Sequence, residues 1–498
     1  MSEIELKFEV TPDDLERLSG HPAMAGPGER ASLATVYFDT ADGDLRAAGL
    51  SLRVRRKGGR FTQTLKRTHS ADLFDRDEWE AETSRFAPDL SLLEHTPVAD
   101  LLAQHAMDLS ARFTLKVNRH IHLWDEGQAV IEICIDRGEI RSGERAQPFL
   151  ELELELISGP VERLYEFAKE LSQIAPIRLS FDTKGDRGYR LASGAIGDAR
   201  KAEALALKSD MSAEAAFRSI ARSCLVQLTG NGQAMHLSRR PEALHQARIA
   251  LRRLRSALTI FKPILRDEAF PAVRADLKWT AGELDLTREL DVFIQRLAER
   301  PASESLENLI ARLRQVRDGA YDRGLAALDS PRFAALLLDT ALWVETGPWT
   351  IGDDPERAAL RDEAIDHFAA RVLAHRRRRV RKAGRGIGRL DADHRHRLRI
   401  EAKKLRYAAE FFENAFPHAH RRRRRFIEAL KGLQDELGAL NDIAMAEETA
   451  RHGVYGRGAV DLAFTAGELV GELKAEEPHL LERAETAFDE FRKTRGFW

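Results

Sequence analysis

Cysteine is nearly missing from this chain: Cys134 and Cys224 are its 2 cysteines in 498 residues. They lie far apart in sequence, so neither a disulfide framework nor a cysteine-based metal site is expected. Long apolar runs are missing too. Phe333 to Val344 is the best of them and is broken by Asp339, short of a membrane span. No glycine-rich phosphate loop of the Walker type occurs. Gly384-Arg385-Gly386-Ile387-Gly388 sits in a basic segment and reads as a loop, not a nucleotide fingerprint. No nucleophile-elbow motif supports a serine triad. Aromatic residues make up 7% of the chain and do not interleave with its basic runs, which disfavours single-stranded nucleic acid held by stacking. The N-terminus is acidic and enters a strand at once, so no signal peptide is expected and the cytoplasm is the default location.

Charge is what the chain has in quantity: 32% of residues are Asp, Glu, Lys or Arg, beside 43% apolar ones. The net charge of −2 hides a division. Residues 1–200 carry 35 acidic and 26 basic residues, and residues 201–498 carry 45 and 52. Opposite signs in the two halves suggest different partners or mutual attraction. The length suits two to four domains.

Residues 1–190 read mainly as strands. Glu3-Ile4-Glu5-Leu6-Lys7-Phe8-Glu9-Val10 alternates charged and apolar, so Glu3, Glu5 and Lys7 share one face. Glu151-Leu152-Glu153-Leu154-Glu155-Leu156 repeats the pattern with an acidic face. Similar alternation recurs at Leu52 to Arg55, Phe61 to Lys66, Arg76 to Glu82 and Ala129 to Asp136, with a hairpin turn at Gly58-Gly59. One helix begins at Thr11-Pro12 and another near Pro160, where Val161, Leu164, Ala168 and Leu171 form one stripe. Strands with one charged and one apolar face suggest an antiparallel barrel or a strongly curved sheet. Acids and bases mix too systematically for a wet surface, so the charged face is placed inside. Residues near 191–208 form a linker, and from Met211 to Phe497 the chain reads as helices.

The helical half contains a repeat. His245-Gln246-Ala247-Arg248-Ile249-Ala250-Leu251-Arg252-Arg253-Leu254-Arg255 matches His396-Arg397-Leu398-Arg399-Ile400-Glu401-Ala402-Lys403-Lys404-Leu405-Arg406. A weaker pair is Leu284 to Asp291 against Leu437 to Asp442. A duplicated helical unit, two antiparallel bundles, is expected. In each copy the histidine and bases at helical spacing form a cationic stripe beside an apolar one. With further basic density at His375 to Lys382 and Arg421 to Arg425, such a surface suits a polyanion. Without aromatic platforms, inorganic polyphosphate fits better than nucleic acid.

The charged strands offer carboxylates for a hard divalent cation and Arg and Lys for phosphate oxygens, the two classes that phosphoryl transfer to water requires. Glu3-Ile4-Glu5-Leu6-Lys7 resembles the ExExK signature of the CYTH superfamily, the triphosphate tunnel metalloenzymes. Matches follow in family order at Arg53-Val54-Arg55, Thr64-Leu65-Lys66, Arg76-Asp77-Glu78-Trp79-Glu80, Arg119, Glu132 to Asp136, Glu153-Leu154-Glu155 and Lys184 with Arg187-Gly188-Tyr189. The C-terminal half resembles the CHAD domain through His245 and His396 with their basic followers.

The resemblance implies a two-domain α+β protein. Its parts would be an eight-stranded antiparallel β-barrel with flanking helices (1–195), a linker (196–208) and an all-α domain (209–498). It implies hydrolysis of inorganic triphosphate to pyrophosphate and phosphate with Mg²⁺ or Mn²⁺. Glu3, Glu5, Glu153 and Glu155 would hold metal, while Glu78, Glu80, Glu132 and Asp136 would assist with metal or water. Lys7, Arg53, Arg55, Lys66, Arg76, Arg119, Lys184 and Arg187 would bind phosphates. Polyphosphate would lie on His245, Arg248, Arg252, Arg253, Arg255, Arg288, His396, Arg399, Lys403, Lys404 and Arg406, placing the protein at polyphosphate granules. The alternatives are a non-catalytic polyphosphate tether or another triphosphate activity: thiamine triphosphatase, nucleoside triphosphatase or adenylate cyclase. Oligomeric state is left open.

Overall fold

The computed structural model describes residues 4–68, 76–352, 354–454 and 460–498. The chain divides into two compact units that do not follow its linear order. The first comprises Met1–Lys201, Leu225–Ala247 and Ala327–Val344; the second comprises Ala202–Cys224, Arg248–Ala326 and Glu345–Trp498. Specific bonds tie the later segments into the first unit. Asn231 Nδ2 donates to the Arg200 carbonyl at 2.8 Å, Gln233 Nε2 to Ser180 Oγ at 2.8 Å, and Arg178 Nε to Asp329 Oδ1 at 2.7 Å.

The first unit is built on an antiparallel sheet of β1 (Glu5–Glu9), β2 (Glu29–Asp39), β3 (Leu50–Lys57), β4 (Arg60–Thr68), β5 (Arg76–Thr83), β6 (Ser110–Asp125), β7 (Val130–Ser142), β8 (Arg145–Ser158) and β9 (Arg178–Ser180). The order is β5-β4-β3-β2-β6-β7-β8-β1-β9. The expected eight-stranded barrel is therefore corrected to a 9-stranded sheet with β5 and β9 at its edges, and no ladder joins those edges among the described residues. The extra strand has 3 residues, too few for alternation to reveal it, and it covers the free side of β1 through Lys7–Ser180. Gly58 and Gly59, with φ of +55° and +90°, turn β3 into β4 as their sequence suggests.

Strand register settles which residues share a face. Glu80 and Glu78 pair with Thr64 and Lys66, Thr64 with Arg53, and Arg53 and Arg55 with Tyr37 and Thr35. Tyr37 and Ala31 pair with Phe113 and Arg119, Arg119 with Asp136, Asp136 with Glu151, and Glu151, Glu153 and Glu155 with Glu9, Lys7 and Glu5. One continuous charged face results, and it is concave. Between Arg55 on β3 and Glu153 on β8 lie three strands, which would set them about 19 Å apart in a flat sheet. Yet the charges of Glu153 and Arg119 both act on Arg55.

The opposite face is apolar. Phe38, Leu50, Leu52, Val54 and Leu65 pack with Leu45, Leu93 and Leu102 from short helices. The Val161–Ile174 helix lays Leu164, Phe167, Ala168 and Leu171 against β8, largely on the stripe its sequence shows. Thr11 caps the Pro12–Leu18 helix in a reciprocal box with Asp14.

One end of the charged face is itself closed by apolar side chains: Leu33, Tyr37, Phe113, Leu115, Val117 and Ile140 gather around Leu191 of the Lys184–Ser193 helix. Gly188 makes that docking possible. A Cβ there would lie 2.0 Å from the Phe113 ring, which cannot retreat because Tyr37 stacks on it at 4.6 Å. The helix is thereby held with Lys184 and Arg187 over the carboxylates.

The second unit is helical. Phe217, Phe261, Phe368, Phe412 and Trp349 form its aromatic centre, with Phe261 stacked on Phe368 at 4.9 Å. A second cluster joins Leu290, Phe293 and Leu297 of the Asp285–Ala298 helix to Leu306, Leu309 and Leu313.

Candidate functional site

On the concave face the most buried group of charges surrounds Lys184. Its Nζ lies 2.8 Å from Asp136 Oδ2 and 2.7 Å from Glu153 Oε1, and it also bonds Glu151. Arg119 donates from Nε and Nη2 to Asp136 at 2.7 and 2.6 Å and also bonds Glu153. Arg187 Nη2 lies 2.6 Å from Glu151 Oε2 and 3.3 Å from Glu9. Asp136 and Glu151 are 0% exposed. Each acid therefore has a cation beside it, as buried charges require.

The electrostatics differ residue by residue. Burial opposes the Glu153 charge, but Lys184, Lys7 and Arg119 outweigh it and hold the carboxyl well below the usual range. Burial pushes Glu151 up in spite of Lys184 and Arg187. Burial likewise opposes the Lys184 ammonium, but Glu151, Glu153 and Asp136 prevail and raise it. Burial raises the Cys134 thiol, which donates to Glu132 at 3.3 Å.

The oxygens of Asp136, Glu151 and Glu153 lie within 4.8 Å of one another, so this buried set could hold a metal ion. Its all-oxygen chemistry suits Mg²⁺ or Mn²⁺. Next to it, Glu5, Glu155 and Glu132 stand in one row across β1, β8 and β7. Glu5 accepts from Lys7. Both acid groups lie on the same face, with Glu153 next to each.

Toward the β5 edge the face turns basic. Lys66 Nζ lies 2.6 Å from Glu78, with Arg53 at 3.9 Å from the same carboxylate, and Glu80 accepts from the Thr64 hydroxyl at 2.8 Å. The Nε atoms of Arg53 and Arg55 are buried without a hydrogen-bond partner. Burial and Arg53 pull the Arg55 guanidinium down to about 10. Two orphaned donors on a concave surface form a site for an acceptor-rich anion.

The sequence-derived residues are thus placed as follows. Glu5, Lys7, Arg53, Arg55, Lys66, Glu78, Glu80, Arg119, Glu132, Asp136, Glu153 and Glu155 share the face, and the helix adds Lys184 and Arg187. Glu3 lies outside the described residues, and Arg76 is described only as the first residue of β5. Glu151 and Glu9 were missed, although both have the same parity as residues that were chosen. Their alternation was the signal; their ion pairs were not visible in it.

Among the helices, Pro241–Ile260 carries His245, Arg248, Arg252, Arg253 and Arg255, and Ala392–Phe411 carries His396, Arg399, Lys403, Lys404 and Arg406. Arg252, Arg399, Lys403 and Arg406 come together: the charges of the three arginines all act on Lys403. Burial, with those charges, pulls Lys403 down to about 7. His396 Nδ1 lies 2.8 Å from Asn441 Oδ1, and Arg248 bonds Asp285. Two residues point elsewhere. Arg253 is 7% exposed and lies over the Phe411 ring at 5.5 Å, and Lys404 donates to Glu401 at 2.8 Å. Arg288 lies on the Asp285–Ala298 helix. No helix among the described residues is long and apolar enough to cross a membrane.

Comparison with known proteins gives a separate match for each part of the chain. The CYTH domain profile matches residues 1–189 and the CHAD domain profile residues 219–451. An inorganic triphosphatase of Haemophilus influenzae is 31% identical over 205 residues, 39% of this chain. The match covers 56% of that protein, so the chain spans about half the length of this curated relative. The crystal structure of the CHAD domain from the plant Ricinus communis superposes with a TM-score of 0.51 at 29% identity, covering 58% of this chain and 96% of that one.

Proposed function

From a chain that consists of a CYTH domain followed by a CHAD domain, we propose that the concave face hydrolyses inorganic triphosphate to pyrophosphate and phosphate with a divalent cation, Mg²⁺ or Mn²⁺, and that the basic helices bind polyphosphate. The carrying observation is that a single face holds the acidic row Glu5, Glu155 and Glu132, with Glu153 beside it, together with the partnerless guanidinium donors of Arg53 and Arg55. A receptor for anions alone would have no use for the acids.

Arg53, Arg55 and Lys66 hold the phosphate oxygens, and Lys7 meets the triphosphate at the acidic end of the face. Glu5, Glu155, Glu132 and Glu153 would hold the cation. When bound, the cation supplies charge against the phosphate oxygens and acidifies water. Lys184 and Arg119 keep Glu153 ionised and fixed. Glu78, beside Lys66 and Arg53, and Glu80, which accepts from Thr64, would orient the attacking water.

The test is phosphate release from triphosphate, thiamine triphosphate, ATP and long-chain polyphosphate, with and without chelator. Triphosphate should be the best substrate, and chelator should abolish release. Release from none of them would leave a binding protein, and chelator-resistant release would remove the cation from the reaction.

Lys403 gives the helical site a pH dependence. A lysine at about 7 in the free protein is raised again when phosphate oxygens surround it, so binding takes up a proton above pH 7. Affinity for polyphosphate is full below pH 7 and should fall about tenfold from pH 6 to pH 8. Lys403→Met is the control. Identical pH slopes for the two proteins would refute the assignment.

A further inference from the structure

Tyr407 lies one turn beyond Lys403 on the Ala392–Phe411 helix, on the face that Arg399 and Lys403 occupy. It is 2% exposed, yet its hydroxyl has no hydrogen-bond partner. The hydroxyl lies within electrostatic reach of Arg252 and Arg399, and the Arg406 guanidinium sits over its ring at 5.2 Å from the centroid. The Nε atoms of Arg248, Arg252, Arg399 and Arg406 are also buried without partners. Every unsatisfied group here can donate, so the missing partner is an acceptor. Leaving a buried donor unpaired is costly, and a core tyrosine ordinarily finds a partner for its hydroxyl. Phenylalanine would fill the same space without that cost.

We infer that Tyr407 is an uncharged hydrogen-bond donor to a phosphate oxygen at the floor of the basic site, so that the site grips polyphosphate by shape as well as by charge. This rests on the polyphosphate reading of the helices and adds to it a contribution that salt does not screen. Charge contacts to a polyanion weaken steeply with salt through counterion release, whereas a neutral donor has no such dependence.

The experiment is calorimetric titration of the full chain, kept in chelator, with polyphosphate at three salt concentrations, for the wild type, Tyr407→Phe and Arg399→Gln. Tyr407→Phe should bind about tenfold more weakly at every salt concentration, with an unchanged slope against salt. Arg399→Gln should bind more weakly with a shallower slope. Without ligand, Tyr407→Phe should melt at the same temperature as the wild type or higher, because an unpaired polar group has been removed from the interior. A purely packing role would instead lower the melting temperature or leave affinity unchanged, and either result overturns the inference. Absence of binding by the wild type would overturn the polyphosphate reading itself. Weakening by Arg399→Gln alone would keep that reading and eliminate Tyr407.

Discussion

Lys184→Met should lose about 3–5 kcal/mol of stability near neutral pH, the usual result of removing one partner from a buried ion cluster. The reason is local. Lys184 Nζ serves Asp136, Glu151 and Glu153 at once, and each of these is buried. Methionine keeps most of the volume and removes the charge. The loss should depend on pH in a stated direction. In the wild type Glu153 is held well below its usual range, so its contribution is fully present above about pH 4.5 and disappears only as pH falls through the depressed value. In the variant, the carboxyls lose their common cation and Glu151, already raised by burial, rises further. Groups with raised carboxyl pKa destabilise the fold progressively as pH climbs above about 4.5. The difference between variant and wild type should therefore be largest at pH 8 and shrink toward pH 5. Urea unfolding followed by circular dichroism at the two pH values measures it. Adding Glu151→Gln should recover part of the loss at pH 8. An equal loss at both pH values, with no recovery, would show that Lys184 matters for packing and not for charge.

Glu5→Gln should reduce triphosphate hydrolysis by about 10²- to 10³-fold, the scale for removing one preorganised electrostatic contact to the reacting charge. Glu5 heads the acidic row that continues through Glu155 and Glu132, and its bond to Lys7 ties the row to the amine proposed to bind phosphate. Its side chain is 28% exposed, so its ion pair carries about 1 kcal/mol or less and the fold should survive. Steady-state kinetics over a range of Mg²⁺ concentrations separates the possibilities. A variant that regains activity at high Mg²⁺ has lost cation affinity, which is the expected outcome. Unchanged kcat and unchanged Mg²⁺ dependence would remove Glu5 from the site. Lys66→Ala makes a useful companion: as a phosphate contact next to Glu78 it should raise KM for triphosphate without altering the Mg²⁺ dependence.

The charged face was legible in the sequence because side-chain parity is a local property. Once Glu5 and Lys7 alternate with Leu6 and Phe8, their common face follows, and the register merely extends it across the sheet. The same logic applied to Glu151 and Glu9, whose neighbours in the alternation were chosen. What parity cannot reveal is pairing between distant segments, and so the Lys184 contact with three acids appeared only in the fold. The strand count failed for a related reason. Arg178–Ser180 has no alternation of its own and becomes a strand because β1 offers it an open edge. On the helices, spacing identified the stripes but not which bases leave them. Arg253 and Lys404 lie about 100° around the helix from Arg252 and Lys403, which is enough to send one over Phe411 and the other to Glu401. Tyr407 has no sequence signal of its own, because an aromatic residue at helical spacing reads as core; its partnerless hydroxyl is visible only in the fold.

The first compact unit completes itself with Leu225–Ala247 and Ala327–Val344, held by Asn231, Gln233 and Asp329. A gene cut at the apparent linker would thus not release a self-sufficient folding unit. It would strip Arg200, Ser180 and Arg178 of the groups they bond. The two compact units cannot be exchanged as cassettes between proteins at that point, because the chain crosses between them more than once.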